Sequence, residues 1–357
     1  MKKWGFLGVG VAILVLGALV WRGSRLSSDA TPNATPAAAV QSNGETVRLA
    51  EGQPPEDARP ARRYRIGVLL PFVAAPFWVN EAYGVLNQAQ KIGVDVVWLS
   101  ADGYDNIDKQ NGQIEALVSQ RVDAILLGAT SSAGTVPAVE QAVARGIPVF
   151  AHVTSSATDK ITAAVLDDDD AIGRRQAEFM GNALHGNATV AMLSGPAAAD
   201  WSARRARGFK EVMAAKFPNI KIVAERNGIP DRADAQRLAE DLLVTFPDLA
   251  GLFTVADGMA MGAADAAIAA HRIDGVTITT ASFSRETIPY ITAGHIDVNV
   301  DENPLLMGRT AINIVTRALN GEAVPKIVYV PSPAITRENL ESVNKATQWA
   351  PEEWSLK

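Results

Sequence analysis

From Arg65 onward, short apolar runs rich in β-branched residues alternate with longer amphipathic stretches. Runs of the first kind predict strands, and stretches of the second kind predict helices. In the first half of this pattern we expect strands at 65–71, 94–99, 122–128, 148–153 and 161–166, and helices at 77–91, 107–119 and 136–145. Near-continuous apolar strands joined by helices are typical of a parallel sheet covered on both faces.

The same pattern restarts after residue 166. We expect helices at 171–184, 203–217, 232–246 and 305–319, and strands at 189–193, 220–224, 251–255, 276–281 and 296–300. The predicted fold class is α/β, with two Rossmann-like lobes that each contain a parallel sheet. Because such sheets bind ligands beyond the carboxyl ends of their strands, we expect the binding site in the cleft between the lobes.

The N-terminus has a different pattern, in which two lysines precede an uncharged apolar run from Trp4 to Trp21. Signal peptides have apolar stretches of about 7 to 15 residues, whereas about 17 to 25 can span a bilayer. The nearest small-residue cleavage site, at 37–39, lies far downstream. Segment 1–25 is therefore predicted to be a signal peptide or a membrane anchor, with the uncleaved anchor favoured.

Residues 26–61 are rich in Ser, Thr, Pro, Ala, Gln and Glu, and they show neither helical nor strand periodicity. This composition is typical of a flexible linker. A small basic cluster closes the segment, at Arg59, Arg62, Arg63 and Arg65. For that cluster we favour a solvated junction over contact with lipid headgroups.

Composition narrows the classes of function. The chain has 39 Asp and Glu against 33 Lys and Arg, a net charge of -6 that opposes binding to nucleic acid. Cysteine is absent, so disulfides, thiolate metal sites and a cysteine nucleophile are excluded. The sequence contains no Ser-His-Asp set, phosphate-binding loop or metal-ligand spacing. We therefore predict no catalytic residue, no metal and no cofactor, and a protein that is not an enzyme.

Asp167 to Asp170 form a run of four carboxylates. The run lacks the alternating oxygen ligands and the turn glycine of a calcium loop. It stands where a strand enters a helix, a position at which Asp accepts hydrogen bonds from free backbone N–H groups. We therefore expect Asp169 or Asp170 to be the N-cap of that helix.

Three motifs accompany this order of elements. They are Pro76-Phe77-Trp78 after the first strand, Arg145-Gly146-Ile147-Pro148-Val149 before the fourth, and Asp257-Gly258-Met259-Ala260-Met261-Gly262 in the second half. Together they resemble the type I periplasmic binding proteins of the ribose-binding group, over residues 63–333. Gene regulators that share this fold begin with a helix-turn-helix, whereas this chain begins with an apolar segment.

The resemblance implies two lobes that close on a small solute and are joined by three hinge crossings, near 166–168, 302–304 and 330–331. The implied N-terminal lobe comprises 62–166 plus 303–330. The implied C-terminal lobe comprises 167–302 plus 331–357. The resemblance also implies a periplasmic location.

A narrower resemblance rests on Gly103-Tyr104-Asp105-Asn106, on Gly195-Pro196 followed by Trp201, and on Glu302-Asn303-Pro304. These runs are similar to the TorT subgroup. TorT proteins are periplasmic sensors of trimethylamine N-oxide that work with a membrane histidine kinase, which implies a kinase as partner. Phe77 stands where the subgroup often has Tyr, and Glu302 where Asp is usual.

Four aromatic residues fall at strand-to-helix loops or first helical turns, which face the cleft: Phe77, Trp78, Tyr104 and Trp201. Aromatic ring faces attract a cationic nitrogen that cannot donate hydrogen bonds, by about 0.5 to 2 kcal/mol per ring. The oxygen of an amine oxide also needs a donor, which an indole N–H or the tyrosine hydroxyl supplies. Glu302 is expected to offset the positive nitrogen. A methylated amine or amine oxide is therefore the predicted ligand.

Three further residues complete the predicted ligand contacts: His152, Asp257 and Phe283, the last with packing as the stronger alternative. Sugars also stack on aromatic rings, so the aromatic residues alone do not exclude them. Sugar-binding relatives carry an Asp-Arg pair after the fourth strand and an Asn-Asp pair after a later strand. At the corresponding positions this chain has Ala-His-Val-Thr (151–154) and Val-Ala-Asp (255–257). Most hydroxyl-binding groups are thus missing. The alternative function is the sugar receptor of an ABC importer, with its permease as partner.

Overall fold

The computed structural model describes residues 41–43, 46–52, 55–73, 75–197, 199–344 and 348–355. Its strands are β1 (Gln41–Asn43), β2 (Thr46–Arg48), β3 (Arg65–Leu70), β4 (Asp95–Ser100), β5 (Ala124–Leu127), β6 (Val149–His152), β7 (Ala164–Leu166), β8 (Asn187–Leu193), β9 (Asn219–Arg226), β10 (Leu249–Thr254), β11 (Thr277–Ala281), β12 (Val298–Val300), β13 (Ile327–Tyr329) and β14 (Ala334–Ile335). Its helices are α1 (Pro76–Ile92), α2 (Ile107–Ser119), α3 (Val136–Ala144), α4 (Asp169–Ala183), α5 (Asp200–Lys216), α6 (Arg232–Thr245), α7 (Asp257–Ala269), α8 (Ile288–Ala293) and α9 (Pro304–Leu319).

The sheet of the N-terminal lobe has the order β1-β2-β13-β7-β6-β5-β3-β4. Every neighbouring pair is parallel except β1 with β2. Alternate side chains of β3 enter opposite cores. Ile66 and Val68 pack with α1 and α9, whereas Leu69 packs with α2 and α3. Burial on both faces explains why these strands are apolar at nearly every position.

The sheet of the C-terminal lobe has the order β14-β12-β11-β10-β8-β9. Its pairs are parallel except β12 with β14. The largest core cluster of this lobe includes Phe209 of α5 and Phe253 of β10, whose ring centroids lie 4.4 Å apart. Two α/β lobes with predominantly parallel sheets confirm the predicted fold class.

The chain passes between the two sheets three times, after β7, after β12 and after β13. These crossings are hydrogen-bonded to one another. Val330 N donates to Leu166 O at 3.1 Å, and Asp301 N donates to Pro333 O at 2.9 Å. Asn303 Nδ2 donates to Pro331 O at 2.6 Å. The crossings lie where the family resemblance implies hinges.

Glycines allow two pairs of helices to touch along their backbones. A Cβ on Gly84 of α1 would lie 2.3 Å from Leu305 O of α9. A Cβ on Gly173 of α4 would lie 1.9 Å from Arg205 O of α5. Any side chain at these positions would force the helices apart. The contact between α4 and α5 brings Arg205 close to the start of α4.

Helix α7 is absent from the predicted elements. Its sequence consists almost entirely of Ala, Gly and Met, and eight of its residues are buried, from Met259 to Ala267. A helix that is apolar on every side has no amphipathic stripe, so periodicity does not reveal it. The predicted N-cap is wrong by one residue, because Asp168 accepts the hydrogen bond of Ala171 N at 3.0 Å.

Residues 46–52 and 55–62, here called the N-terminal arm, lie on the N-terminal lobe. Strand β2 pairs with β13, and Val47 is buried. Ala58 N donates to Asn313 Oδ1 of α9 at 2.9 Å. The sequence predicted a flexible linker over 26–61, and the structure instead holds these parts of that range against the lobe. A three-residue strand is too short to produce a period-two pattern.

The arm also reaches the C-terminal lobe. Arg48 forms an ion pair with Asp168 at 2.6 Å, and Glu51 forms one with Arg175 of α4 at 3.2 Å. The Arg48 guanidinium lies 4.5 Å from the centroid of the Tyr329 ring. The predicted segment 1–25 lies outside the described residues. Within the described part of the chain, no helix is both long and apolar enough to cross a membrane.

Candidate functional site

An aromatic cluster forms at the carboxyl ends of β3 and β4. Phe72 follows β3, Phe77 and Trp78 begin α1, and Tyr104 lies in the loop after β4. The ring centroids are 5.2 Å apart for Phe77 and Trp78, 6.3 Å for Phe72 and Trp78, and 5.4 Å for Phe72 and Tyr104. The structure thus brings together three aromatic residues predicted from sequence and adds Phe72. Edge-to-face packing of this kind fixes the orientation of each ring.

Two backbone features position Tyr104 at the end of β4. Asp102 and Gly103 have φ values of 65° and 152°, which turn the chain sharply. Asn106 Nδ2 donates to Ala101 O at 2.9 Å, and Lys109 forms an ion pair with Asp102. This small loop is closed by its own side chains and presents the tyrosine to the cleft.

The hydroxyl of Tyr104 lies near the side chain of Trp78. Burial raises the pKa of Tyr104 to about 12, and the negative charge of Glu302 adds to the rise while Arg205 opposes it. The residue as a whole is 40% exposed. The hydroxyl therefore lies within the field of charged groups from the C-terminal lobe, whereas part of the ring remains open to solvent.

Arg205 is the central charged group on the opposite side of the cleft. Its side chain is buried, Nε donates to Asp169 Oδ1 at 2.9 Å, and Nη1 donates to Val255 O at 2.8 Å. Nη2 donates to Glu302. The guanidinium lies 5.0 Å from the centroid of the Trp201 ring. Two predicted residues, Trp201 and Glu302, thus meet at this arginine.

The neighbouring arginines of α5 do not share this position. Arg204 and Arg207 both pair with Asp170, at 3.0 and 2.7 Å, on the outer side of the contact between α4 and α5. Sequence reasoning could not choose among the three. Gly208, three residues after Arg205, is the sequence feature that points to Arg205. A Cβ at Gly208 would lie 2.1 Å from Asp170 O, so the glycine marks the face of α5 that contacts α4.

Carboxyl groups outnumber the guanidinium at this site. Glu302 also accepts a hydrogen bond from Ser282, and Asp167 and Asp301 are buried beside it in the crossings. Burial raises the pKa of Asp169 to about 6 and that of Asp301 to about 7. Burial and the charge of Glu302 raise the pKa of Asp167 well above its usual value. These groups favour a cation, which would stabilise their ionised forms.

Asp257 stands at the first position of α7, where backbone N–H groups are free. Its carboxylate accepts a hydrogen bond from Gly258 N at 2.8 Å. Burial raises its pKa to about 6, and the charge of Glu302 adds to the rise. Asp257 therefore lies within electrostatic reach of the same group of carboxylates.

His152 is placed differently from the other predicted contacts. Its side chain is fully buried at the end of β6, and Nδ1 lies 2.6 Å from Glu81 Oε1 of α1. A Cβ on Gly128 would lie 3.3 Å from Nε2. The imidazole thus packs inside the N-terminal lobe and has no solvent-exposed surface.

Phe283 is covered by the C-terminal end of the chain. The ring is 4% exposed, and its centroid lies 5.2 Å from that of Trp349. Trp349 Nε1 donates to Phe283 O at 3.3 Å. The packing alternative therefore describes this ring, and Trp349 is a neighbour of the cleft that sequence reasoning missed, because it lies far along the chain from every motif.

Comparisons with known proteins identify the family and the fold. A family model described as periplasmic binding protein domain matches residues 66–323. The ribose import binding protein RbsB of Bacillus subtilis is 28% identical over 286 residues, which are 78% of this chain and 91% of that protein. The periplasmic protein TorT of Escherichia coli K12 is 25% identical over 283 residues, which are 78% of this chain and 80% of TorT.

Solved structures share the fold as well. The substrate-binding protein of a sugar ABC transport system from Bordetella parapertussis superposes with a TM-score of 0.77 at 25% identity, over 84% of this chain and 98% of that chain. The chain therefore belongs to the type I periplasmic binding protein family and is a solute-binding protein.

Proposed function

We propose that this protein closes on a small methylated amine or amine oxide, such as trimethylamine N-oxide. The observation that carries the proposal is that the aromatic cluster of the N-terminal lobe faces a group of buried carboxyls around Arg205. Aromatic faces and carboxylates both attract a positive nitrogen whose methyl groups exclude hydrogen bonding.

The cleft also offers a donor for the oxygen of an amine oxide. A tyrosine hydroxyl is both a donor and an acceptor, so Tyr104 can donate its proton to the oxygen of the ligand. Because burial raises the pKa of Tyr104 to about 12, the hydroxyl keeps that proton at physiological pH. Tyr104 is therefore the proposed donor to the ligand oxygen.

The residues after β6 give further support. Sugar-binding relatives place an Asp-Arg pair there, and this chain has His152 and Val153. His152 is turned inward to Glu81, so it offers no hydroxyl-binding group to the cleft surface. A buried polar group left without a partner costs about 1 to 3 kcal/mol. The hydroxyls of a bound sugar would lack the partners that the Asp-Arg pair supplies, so the absence of the pair disfavours a sugar.

A second candidate function is sugar uptake. It is favoured by the similar proteins, among them a ribose import binding protein and a substrate-binding protein of a sugar ABC transport system. Aromatic rings stack on sugar faces, and the carboxylate of Asp257 accepts hydrogen bonds from hydroxyls. In that case the membrane partner is an ABC permease.

The TorT resemblance supports a signalling role in the periplasm. On this proposal the protein reports ligand occupancy to a membrane histidine kinase, and segment 1–25 keeps it at the inner membrane if it is not cleaved. Co-purification of the protein with a candidate kinase ectodomain, with and without ligand, tests this part. Stimulation of an importer ATPase without any kinase contact would support sugar uptake instead.

Calorimetry with four probes tests the ligand class. The probes are trimethylamine N-oxide, tetramethylammonium, D-ribose and D-allose. We expect heat of binding with the first two and none with the sugars. Saturable binding of a sugar, together with no response to either nitrogen compound, would replace the proposal by the second candidate.

A further inference from the structure

Residues 348–355, here called the C-terminal strap, are bound to the C-terminal lobe at two places. Trp349 is 4% exposed between Phe283 and Arg285, whose guanidinium lies 4.9 Å from the centroid of the indole ring. Arg285 Nη2 donates to Ala350 O at 2.9 Å. At the second crossing, Gln348 Nε2 donates to Asp301.

The same strap is bound to the N-terminal lobe. Ala350 N donates to Asn80 Oδ1 at 2.8 Å, and Asn80 lies in the second turn of α1. The Trp354 ring meets Tyr83 of α1 edge-on, with ring centroids 5.3 Å apart. Trp354 also packs against the cluster that contains Trp78. The strap therefore contacts the helix that begins with the aromatic residues of the cleft.

Within the strap, Ala350 bridges the two lobes, because its N–H is bound to α1 and its carbonyl to Arg285. The nitrogen and oxygen of one residue are separated by only two fixed-length backbone bonds and the carbonyl bond. The bridge can lengthen only as far as the Arg285 side chain, which is 40% exposed, can follow. A rotation of the lobes beyond that reach breaks one of these two hydrogen bonds.

The contacts on the two sides are unequal. The C-terminal lobe holds the strap through a buried tryptophan, a guanidinium stacked on it and the hydrogen bond to the crossing. The N-terminal lobe holds it through one hydrogen bond and the half-buried ring of Trp354. Since fewer contacts are lost on that side, opening separates the strap from α1 and leaves it on the C-terminal lobe.

We propose that the C-terminal strap is a latch: its docking on Asn80 and Tyr83 favours the closed arrangement of the lobes, and its release accompanies opening. The proposal depends on the two-lobed fold alone, whichever solute is bound. On this proposal, the free energy of closure includes the contacts of the C-terminal strap as well as the contacts of the ligand.

Distance measurements between two spin labels test the latch. The natural chain contains no cysteine, so Glu115→Cys on α2 and Glu240→Cys on α6 give one exposed label in each lobe. In the full chain without ligand we expect one narrow distance distribution. In a chain that ends at residue 344 we expect a second population at longer distance.

Two single substitutions in the full-length labelled chain make the test independent of truncation. Trp354→Ala removes the contact with Tyr83 and is expected to produce the longer population. Val244→Ala, at a residue that is 81% exposed on α6, is the matched control and should leave the distribution unchanged. Circular dichroism verifies that each variant is folded. Identical distributions in the full chain, the shortened chain and Trp354→Ala would overturn the proposal.

Discussion

The guanidinium of Arg205 donates a hydrogen bond to the carboxylate of Glu302, which joins α5 to the second crossing between the lobes. Glu302 was predicted to offset the charge of a ligand, and in the structure it has a cation as its partner. Asp167, Asp169 and Asp301 are buried in the same group, and burial raises their pKa values, so a bound cation would favour their ionised forms.

The first prediction concerns the stability of this group. Arg205→Met leaves Asp169 and Glu302 buried without their partner, and breaking a buried pair in this way costs about 3 to 5 kcal/mol of unfolding free energy. Arg207→Met is the control, because the side chain of Arg207 is 55% exposed and such pairs contribute about 0 to 1 kcal/mol. Urea denaturation measures both. Equal, small losses would contradict the central role of Arg205.

The second prediction separates the hydroxyl of Tyr104 from its ring. Tyr104→Phe removes the proposed donor and keeps the aromatic face. We expect the affinity for trimethylamine N-oxide to fall by about 0.5 to 1.5 kcal/mol, roughly 2- to 10-fold, with no change for tetramethylammonium. Calorimetry on both probes decides the matter. A parallel loss for the two compounds would mean that the hydroxyl acts on the structure of the loop.

The third prediction compares two tryptophans. Trp78 is 3% exposed and belongs to a core cluster, so Trp78→Ala is expected to reduce the unfolding free energy by about 3 to 5 kcal/mol. Trp201 is half-buried against Arg205, and Trp201→Ala is expected to weaken binding of a methylated cation by about 0.5 to 2 kcal/mol while the fold persists. Thermal melts and titrations on the same samples test both halves. Normal affinity in Trp201→Ala would remove that ring from the site.

Much of the fold could be predicted from sequence because periodicity reports burial. Helix α2 begins and ends where its amphipathic pattern does, at Ile107 and Ser119. The positions of Phe77 and Tyr104 could be predicted because they lie in or just after strand-to-helix loops. In a parallel sheet the carboxyl ends of all strands lie at the same edge, so these loops lie together. Arg205 could not be identified in this way, because its position depends on the backbone contact between α4 and α5.

Contacts made by the ends of the chain were also beyond prediction. The arm and the strap consist of short segments without a period, and each is held by partners distant in sequence. Ala58 meets Asn313, and Trp349 meets Phe283. Such pairings depend on the surfaces of the folded lobes, and those surfaces cannot be deduced from the sequence of a short segment.

The fourth prediction concerns pH. Burial raises the pKa of Asp301 to about 7, above its value of 3.8 in the unfolded chain, so the folded state binds the extra proton. The stability contributed by this protonation is present at low pH and is lost as the pH rises through about 7. Between pH 5 and pH 8 the loss is about 2 to 3 kcal/mol.

Asp301→Asn should reduce the loss of stability between pH 5 and pH 8 by about this amount, whatever its effect on absolute stability, while Asp167, Asp169 and Asp257 continue to contribute. Unfolding free energies of both proteins at pH 5 and pH 8 give the difference directly. If the natural chain and the variant lose stability in parallel between these pH values, Asp301 is not the group responsible.

The ion pair between Arg48 and Asp168 joins the N-terminal arm to the first crossing. Points near a rotation axis sweep short arcs, so this pair is stretched little when the lobes turn about their crossings. An arm attached at this point can stay on both lobes while they rotate, and its ion pair with Asp168 adds little to the energy of opening.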